Sequence, residues 1–369
     1  MASVTTAAFG LGEPGATTGM RFSIDPWDPS YGSSMSDEGF RESTAKVEAG
    51  IEEAPAAWRP VPPPAARGRL VTVPEAVLFV DGVRREEARG WIHDPAPAGT
   101  APTGTEAADY RATSAAAAVC ASFASGVVCS CGLGAHLLTA RVERGLFTSA
   151  RHAADVVTAG GTYQVRRVEG DGPDSLNLAI QQAMTALEIV TAAGARHGHP
   201  GPASAREQAA GAPAAGSGGP GTLLVVDGPL RGRTHLPRSL GFIKTHHSRY
   251  LEAPQHEVVG RLEPGYRTPV FLMGTTWDRY SWYLRLPSRP GAPWAGVARV
   301  ECPASLPAAE AVALADLSQV TLPRYASHEF KDRRAPQNLY PIAGLERALR
   351  RRLGDRQLLY RSLRRAAVS

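Results

Sequence analysis

Two stretches of the chain, "FVDGVRR" and "LLVVDGPL", each run from apolar residues into an aspartate followed by a glycine, at Asp81-Gly82 and Asp227-Gly228. A buried carboxylate is costly unless it is ion-paired, hydrogen-bonded or bound to metal. Either dipeptide alone is explained by a turn, because Asp-Gly is a strong turn signal. Two of them, each closing an apolar run, point instead to carboxylates delivered to one edge of a sheet, where ligands gather at strand ends. A helical pattern supplies a third acid. Leu176, Ile180, Met184 and Glu188 recur at every fourth position of "DSLNLAIQQAMTALEIVTAAGA", which predicts a helix over 174–195 with Glu188 on its core face. The alternative for Glu188 is an arginine partner or a snorkelling side chain. Three converging carboxylates form a hard, oxygen-rich site suited to Mg²⁺ or Mn²⁺. Ions so held serve phosphodiester hydrolysis.

The elements that must position these acids follow from pattern. "AVLFVDGVRREEARGWI" predicts a strand from Ala76, a turn at Asp81-Gly82 and a returning strand. Residues 95–116 are a polar excursion, and 117–130 and 135–148 supply two further strands of a meander. The helix over 174–195 opens with Asp174 as its cap. Residues 196–221 are a low-complexity linker of the mobile kind. "TLLVVDGPL" is a continuous apolar strand of the type covered on both faces. Strand and loop units follow at 241–251, 268–274, 280–287 and 294–302, then helices near 305–315 and 342–366, the second broken at Gly354. The order predicts an α/β protein with a mixed sheet flanked by helices. Residues 1–67 read as an extended arm pinned by Trp27 and Tyr31. Residues 68–369 read as one domain carrying the 196–221 segment as an insertion.

Composition narrows the class. A 369-residue chain with 43% hydrophobic residues can bury a sizeable core. The net charge of +5 is uneven: eight arginines lie between Arg347 and Arg365, against Glu346 and Asp355. That segment is either a solvated helix face or a surface for phosphate backbones. Cys129 and Cys131 form C-x-C with no second pair at zinc spacing, so the four cysteines are expected as buried thiols in a reducing compartment. Neither a basic-then-apolar leader nor an apolar run of spanning length is present, which predicts a cytoplasmic protein with no membrane segment.

At this point the residues resemble the NurA family of DNA-end-processing nucleases. The resemblance rests on "FVDGVRR", the helix carrying Glu188, "LLVVDGPL", "GFIKTHHSRYL", "RTPVFLMG", "YSWYLRLP" and "KDRRAPQNLYPIAGLERALR", in that order over roughly 76–366. It implies an RNase H-like fold and a metal-dependent nuclease preferring Mn²⁺ over Mg²⁺. It further implies a homodimer and a HerA-type hexameric ATPase as partner in double-strand-break repair. Asp81, Glu188 and Asp227 match the family's metal-binding acids, and Tyr340 matches a tyrosine of its C-terminal active-site segment. The family's histidine beyond that tyrosine is missing, with Ala348 and Leu349 in its region. His328 and Asp332 stand upstream as candidates to fill the gap.

Basic residues near these motifs suit DNA phosphates: Lys244 and Arg249 flank the His246-His247 pair, and Lys331, Arg333 and Arg334 lie in "KDRRAPQN". The bland alternative for the latter is a solvated loop. Trp277, Tyr280, Trp282 and Tyr283 either stack on bases or fill the core. Two rival functions compete with this reading. An actin-like ATPase needs Gly-rich phosphate loops, which the "DGPL" turn does not offer. A non-catalytic DNA-binding or adaptor subunit accommodates the missing histidine but gives no reason for three acids.

Overall fold

The computed structural model describes residue 27 and residues 41–93, 115–132, 134–170, 172–198, 221–288 and 294–367. Most of the expected arm, the polar excursion at 95–116 and the linker after Gly198 fall largely outside these residues. In chain order the elements are β1 (Arg41–Glu42), β2 (Lys46–Glu48), β3 (Ala76–His93), β4 (Ala115–Cys131), β5 (Gly134–Thr148), β6 (Val156–Thr158) and β7 (Gly161–Arg167). There follow α1 (Pro173–Gly198), β8 (Thr222–Asp227), β9 (Ser239–Ile243), β10 (Ser248–Arg249), α2 (Ala253–Gly260), β11 (Phe271–Gly274), β12 (Asp278–Arg285) and β13 (Val297–Pro303). The helices α3 (Ala308–Thr321), α4 (Tyr340–Arg352) and α5 (Arg356–Ala366) close the chain. Gly354, at φ 90°, separates the last two, as expected.

The chain is a mixed α/β protein. Its main sheet, among the described residues, has eleven strands in the order β2-β11-β12-β13-β9-β8-β3-β4-β5-β7-β6. The meander β3-β4-β5 is antiparallel, and β8 joins β3 in parallel, with Val80 opposite Val226. β9 is parallel to β8. The expected turn at Asp81-Gly82 does not form. β3 runs straight through it, with Asp81 opposite Gly126 and Gly82 opposite Ser125. The long ladder to β4, together with the Ser125 hydroxyl donating to the Asp81 carbonyl at 3.0 Å, overrides the local turn preference. At Asp227-Gly228 the turn does form: β8 ends there and Gly228 adopts φ 103°.

Both faces of the central strands are covered. Leu78, Val80, Val127, Leu224 and Val226 pack towards Ala192 and Ala195 of α1. Further along β4, Val119, Ala121 and Phe123 meet Leu176, Ile180, Ala183 and Leu187 of the same helix. On the other face, Val83, Ala124 and Val128 meet Leu345, Leu349 and Leu353. Phe79 and Val225 join Ile342 and α3 residues there. The small residues of β4 let a helix approach on either side. Asp174 is not the cap of α1 but lies inside its first turn, where its charge still favours the helix start. Trp27 is buried, and a buried ion network ties the N-terminal segment down: Arg267 pairs with Glu52 and Asp316, and Asp316 with Arg67 and Arg69. No helix of the described residues is long and apolar enough to cross a membrane.

Candidate metal centre

Strand alternation decides which acids meet. Asp81 follows Val80 on β3, and Asp227 follows Val226 on β8; since Val80 and Val226 are register partners, the two aspartates are neighbours on one face. That face is the one shared with Phe79, Val83 and Val225, and α4 lies over it. Glu346, on α4 between the buried Leu345 and Leu349, reaches down to them. One carboxylate oxygen from each of Asp81, Asp227 and Glu346 lies within 4.8 Å of the others.

Glu188 is not the third member of this trio. α1 covers the opposite face, so Glu188 arrives from the other side and packs its carboxylate over Gly82, where any Cβ would collide with it. Its buried partner there is the Arg233 guanidinium. Gly82 is therefore required for this close approach rather than for a turn. Glu188 is still near enough for its charge to raise Asp81.

The charges around the trio are arranged in two chains. Lys244 donates to Asp227 Oδ2 at 2.6 Å and to Asn338 Oδ1 at 3.0 Å, and Asn338 donates in turn to Asp332 Oδ2 at 2.9 Å. Arg334 holds Glu346, while its backbone N–H donates to Asp332 at 2.8 Å. The "KDRRAPQN" loop thus does reach the acids, through Arg334, Asp332 and Asn338. Burial alone would raise Glu346. The Arg334 hydrogen bond and the charges of Lys244, Arg334 and Arg350 nevertheless hold it below its ordinary value.

Asp81 has no such partner. Its Oδ1 accepts from the Gly82 N–H at 2.7 Å, whereas Oδ2 is buried with no hydrogen-bond partner. Burial, and then the Asp227 charge, push its carboxyl well above the usual range, with Glu346 and Glu188 adding to the effect against Lys244. An orphaned buried carboxylate oxygen beside two further carboxylates fits a divalent cation, and the all-oxygen donor set selects a hard one.

The raised Asp81 has a consequence for metal-free protein. A carboxyl raised in the folded state stabilises the fold below its unfolded pKa and ceases to do so as pH rises through the folded value. With metal chelated, Asp81→Asn is therefore expected to stabilise the fold at neutral and alkaline pH by about 1–3 kcal/mol, for relief of a buried unsatisfied group, and to raise Tm accordingly. The gap should narrow as pH falls. Thermal melts in EDTA across pH check this, and a variant less stable than wild type at pH 8 would refute it.

The remaining expected residues are spread more widely. Tyr340 begins α4, and its hydroxyl is 2.8 Å from His328 Nδ1 with the rings stacked; its contacts run to His328, not to the carboxylates. Lys244 is buried inside the site. Arg249, Lys331 and Arg333 are exposed. His246 is buried against Tyr283 and Trp294 with Nε2 2.9 Å from the Val297 carbonyl, and burial lowers its pKa to about 4. Trp282 and Tyr283 are core residues.

Sequence reasoning overlooked Glu346, Asn338 and Arg233. The signal for Glu346 was present: with Ile342, Leu345 and Leu349 it occupies one stripe of α4, by the same spacing that singled out Glu188.

The chain matches no family model and no curated protein sequence. Among solved structures it is similar to the crystal structure of the NurA nuclease from Sulfolobus solfataricus, with 10% sequence identity and a TM-score of 0.40, over 80% of this chain and 84% of that one.

Proposed function

We propose that this protein is a divalent-metal-dependent nuclease that hydrolyses DNA phosphodiester bonds from ends. The observation that carries the reading is the orphaned Asp81 Oδ2, buried beside Asp227 and Glu346. A scaffold gains nothing from concentrating acids in this way, whereas a metal site requires it. The order β5-β4-β3-β8-β9, antiparallel over the first three strands and parallel over the last two, supports an RNase H-like core.

Asp81, Asp227 and Glu346 would hold Mn²⁺ or Mg²⁺, with Glu188 acting on them from the opposite face through its charge. Metal bound there would polarise the scissile phosphate and acidify a water nucleophile. Lys244, anchored by Asn338 and Asp332, keeps a fixed positive charge against Asp227. That limits carboxylate repulsion and presents an ammonium to phosphate. The His328 and Tyr340 pair, joined by a hydrogen bond, lies in the same C-terminal segment. Exposed Lys331 and Arg333, with Arg249 and the arginines of α4 and α5, supply the phosphate grip. In the cell the reading extends to a cytoplasmic homodimer working with a HerA-type hexameric ATPase in double-strand-break repair.

End-labelled linear DNA incubated with Mn²⁺, Mg²⁺ or EDTA tests the proposal. Wild-type protein should degrade it only with metal, and Asp227→Asn should lose the activity by about 10³-fold or more, the equivalent of several kcal/mol of transition-state stabilisation. DNA binding without cleavage in either metal, with and without the ATPase, would instead assign an adaptor role.

A further inference from the structure

The tip of the β4–β5 hairpin carries a second group of metal-ligating side chains of a different chemical kind. Cys129 and Cys131 are two residues apart on β4 and so share a face. Cys129 is the cross-strand partner of His136 on β5, which brings the imidazole to that same face. Both sulfurs and one His136 ring nitrogen lie within 4.8 Å of one another. The ligands are graded from floor to mouth: Cys129 is fully buried against Ala192 and Ala195 of α1, Cys131 is half-buried, and His136 is exposed.

We propose that Cys129, Cys131 and His136 bind one Zn²⁺ ion in a three-ligand site whose fourth position opens to solvent. Donor atoms around a tetrahedral zinc sit about 3.5–3.8 Å apart, given Zn–S near 2.3 Å and Zn–N near 2.0–2.1 Å. The trio closes on an ion by shifts of about an ångström or less. Two thiolates and an imidazole select zinc over Mn²⁺ or Mg²⁺, whereas the carboxylate trio has the opposite preference. The sites do not compete, since Cys129 pairs with Leu78 on the α1 face and the carboxylates occupy the other. Loading releases two protons, one from each thiol, and leaves a neutral metal–dithiolate unit, which suits the buried end of the site. The ion would pin the hairpin tip beneath the end of α1. Its fourth position would take water or an exogenous thiol. The proposal is independent of the nuclease reading.

Full-length, reduced protein titrated with Co²⁺ provides the test, because thiolate ligation gives a sulfur-to-cobalt charge-transfer band that carboxylates cannot produce. One Co²⁺ per chain should bind with that band and with the strong visible absorption of a tetrahedral ion, and Zn²⁺ should displace it. Cys131→Ser and His136→Ala should each weaken zinc binding by more than the roughly 10–100-fold that loss of an outer-shell partner costs. Asp81→Asn and Asp227→Asn should leave the band unchanged. His136 is exposed, so His136→Ala decides the matter even if a cysteine variant misfolds. No charge-transfer band in reduced wild type, or equal affinity in His136→Ala, overturns the assignment. Isolation of a stable Cys129–Cys131 disulfide that excludes zinc under reducing conditions does so too.

Discussion

Glu346→Gln is expected to abolish metal-dependent cleavage, by about 10³-fold or more, and to weaken Mn²⁺ binding in parallel. The substitution keeps the volume of the side chain and its place on α4 but removes one of three charges that converge within 4.8 Å. It also leaves Arg334 facing a neutral amide. Glu188→Gln is the instructive contrast. Glu188 sits across the sheet, bound to Arg233 and packed on Gly82, so its loss should act on the metal only through position and through the charge felt by Asp81. A reduction of about 10–100-fold, as for an outer-shell partner, is expected there. Calorimetric Mn²⁺ titration of the two variants, run beside the DNA assay, separates the roles. Should Glu188→Gln lose metal binding while Glu346→Gln retains it, the trio has been drawn with the wrong third acid.

Arg267→Ala is expected to destabilise the fold by about 3–5 kcal/mol, the cost of breaking a buried ion pair from one side. Arg267 is fully buried. It donates to both Glu52 oxygens at 2.6 and 2.7 Å, to Asp316 Oδ1 at 2.7 Å and to Gln319 at 3.1 Å. Without it Glu52 loses its cation, and Asp316 keeps only Arg67 and Arg69. Burial alone would raise Asp316, yet the Arg267 and Arg67 hydrogen bonds hold it below its ordinary value. Its contribution is thus present at neutral pH and is lost as pH falls through that depressed value. A fall in Tm on the order of 10 °C at pH 7 should follow, with earlier proteolysis between residues 41 and 67, the segment that the network fastens. Arg261→Ala, which removes an exposed pair with Glu257, is the control and should change stability by no more than about 0.5 kcal/mol. Equal melting of the two variants would show that the network contributes little.

Much of the frame was legible in the sequence for physical reasons. Continuous apolar runs announced β3 and β8, the fourfold spacing from Leu176 announced α1, and Gly354 separated α4 from α5. Local signals failed where tertiary pairing outweighed them. The two Asp-Gly dipeptides are alike in sequence, yet Gly228 ends a strand at φ 103° while Gly82 lies within one. The difference is the ladder to β4, which extends on both sides of Gly82 and whose partner residues lie some forty positions away. The C-x-C motif showed no zinc spacing in the linear chain because its third ligand comes from across a hairpin, in register with Cys129.

What the sequence carried by itself is that Asp81 and Asp227 each follow a buried apolar strand run and that Glu188 lies on the apolar stripe of a helix, with the same spacing present, though overlooked, for Glu346. Which glutamate joins the aspartates was decided by the tertiary structure alone. Alternation along a strand fixes which residues share a face, but strands apolar on both faces carry no mark of which helix will cover which side. Here α4 covers the aspartate face and α1 the other. Glu346 therefore completes the cluster, and Glu188 is held by Arg233 behind it.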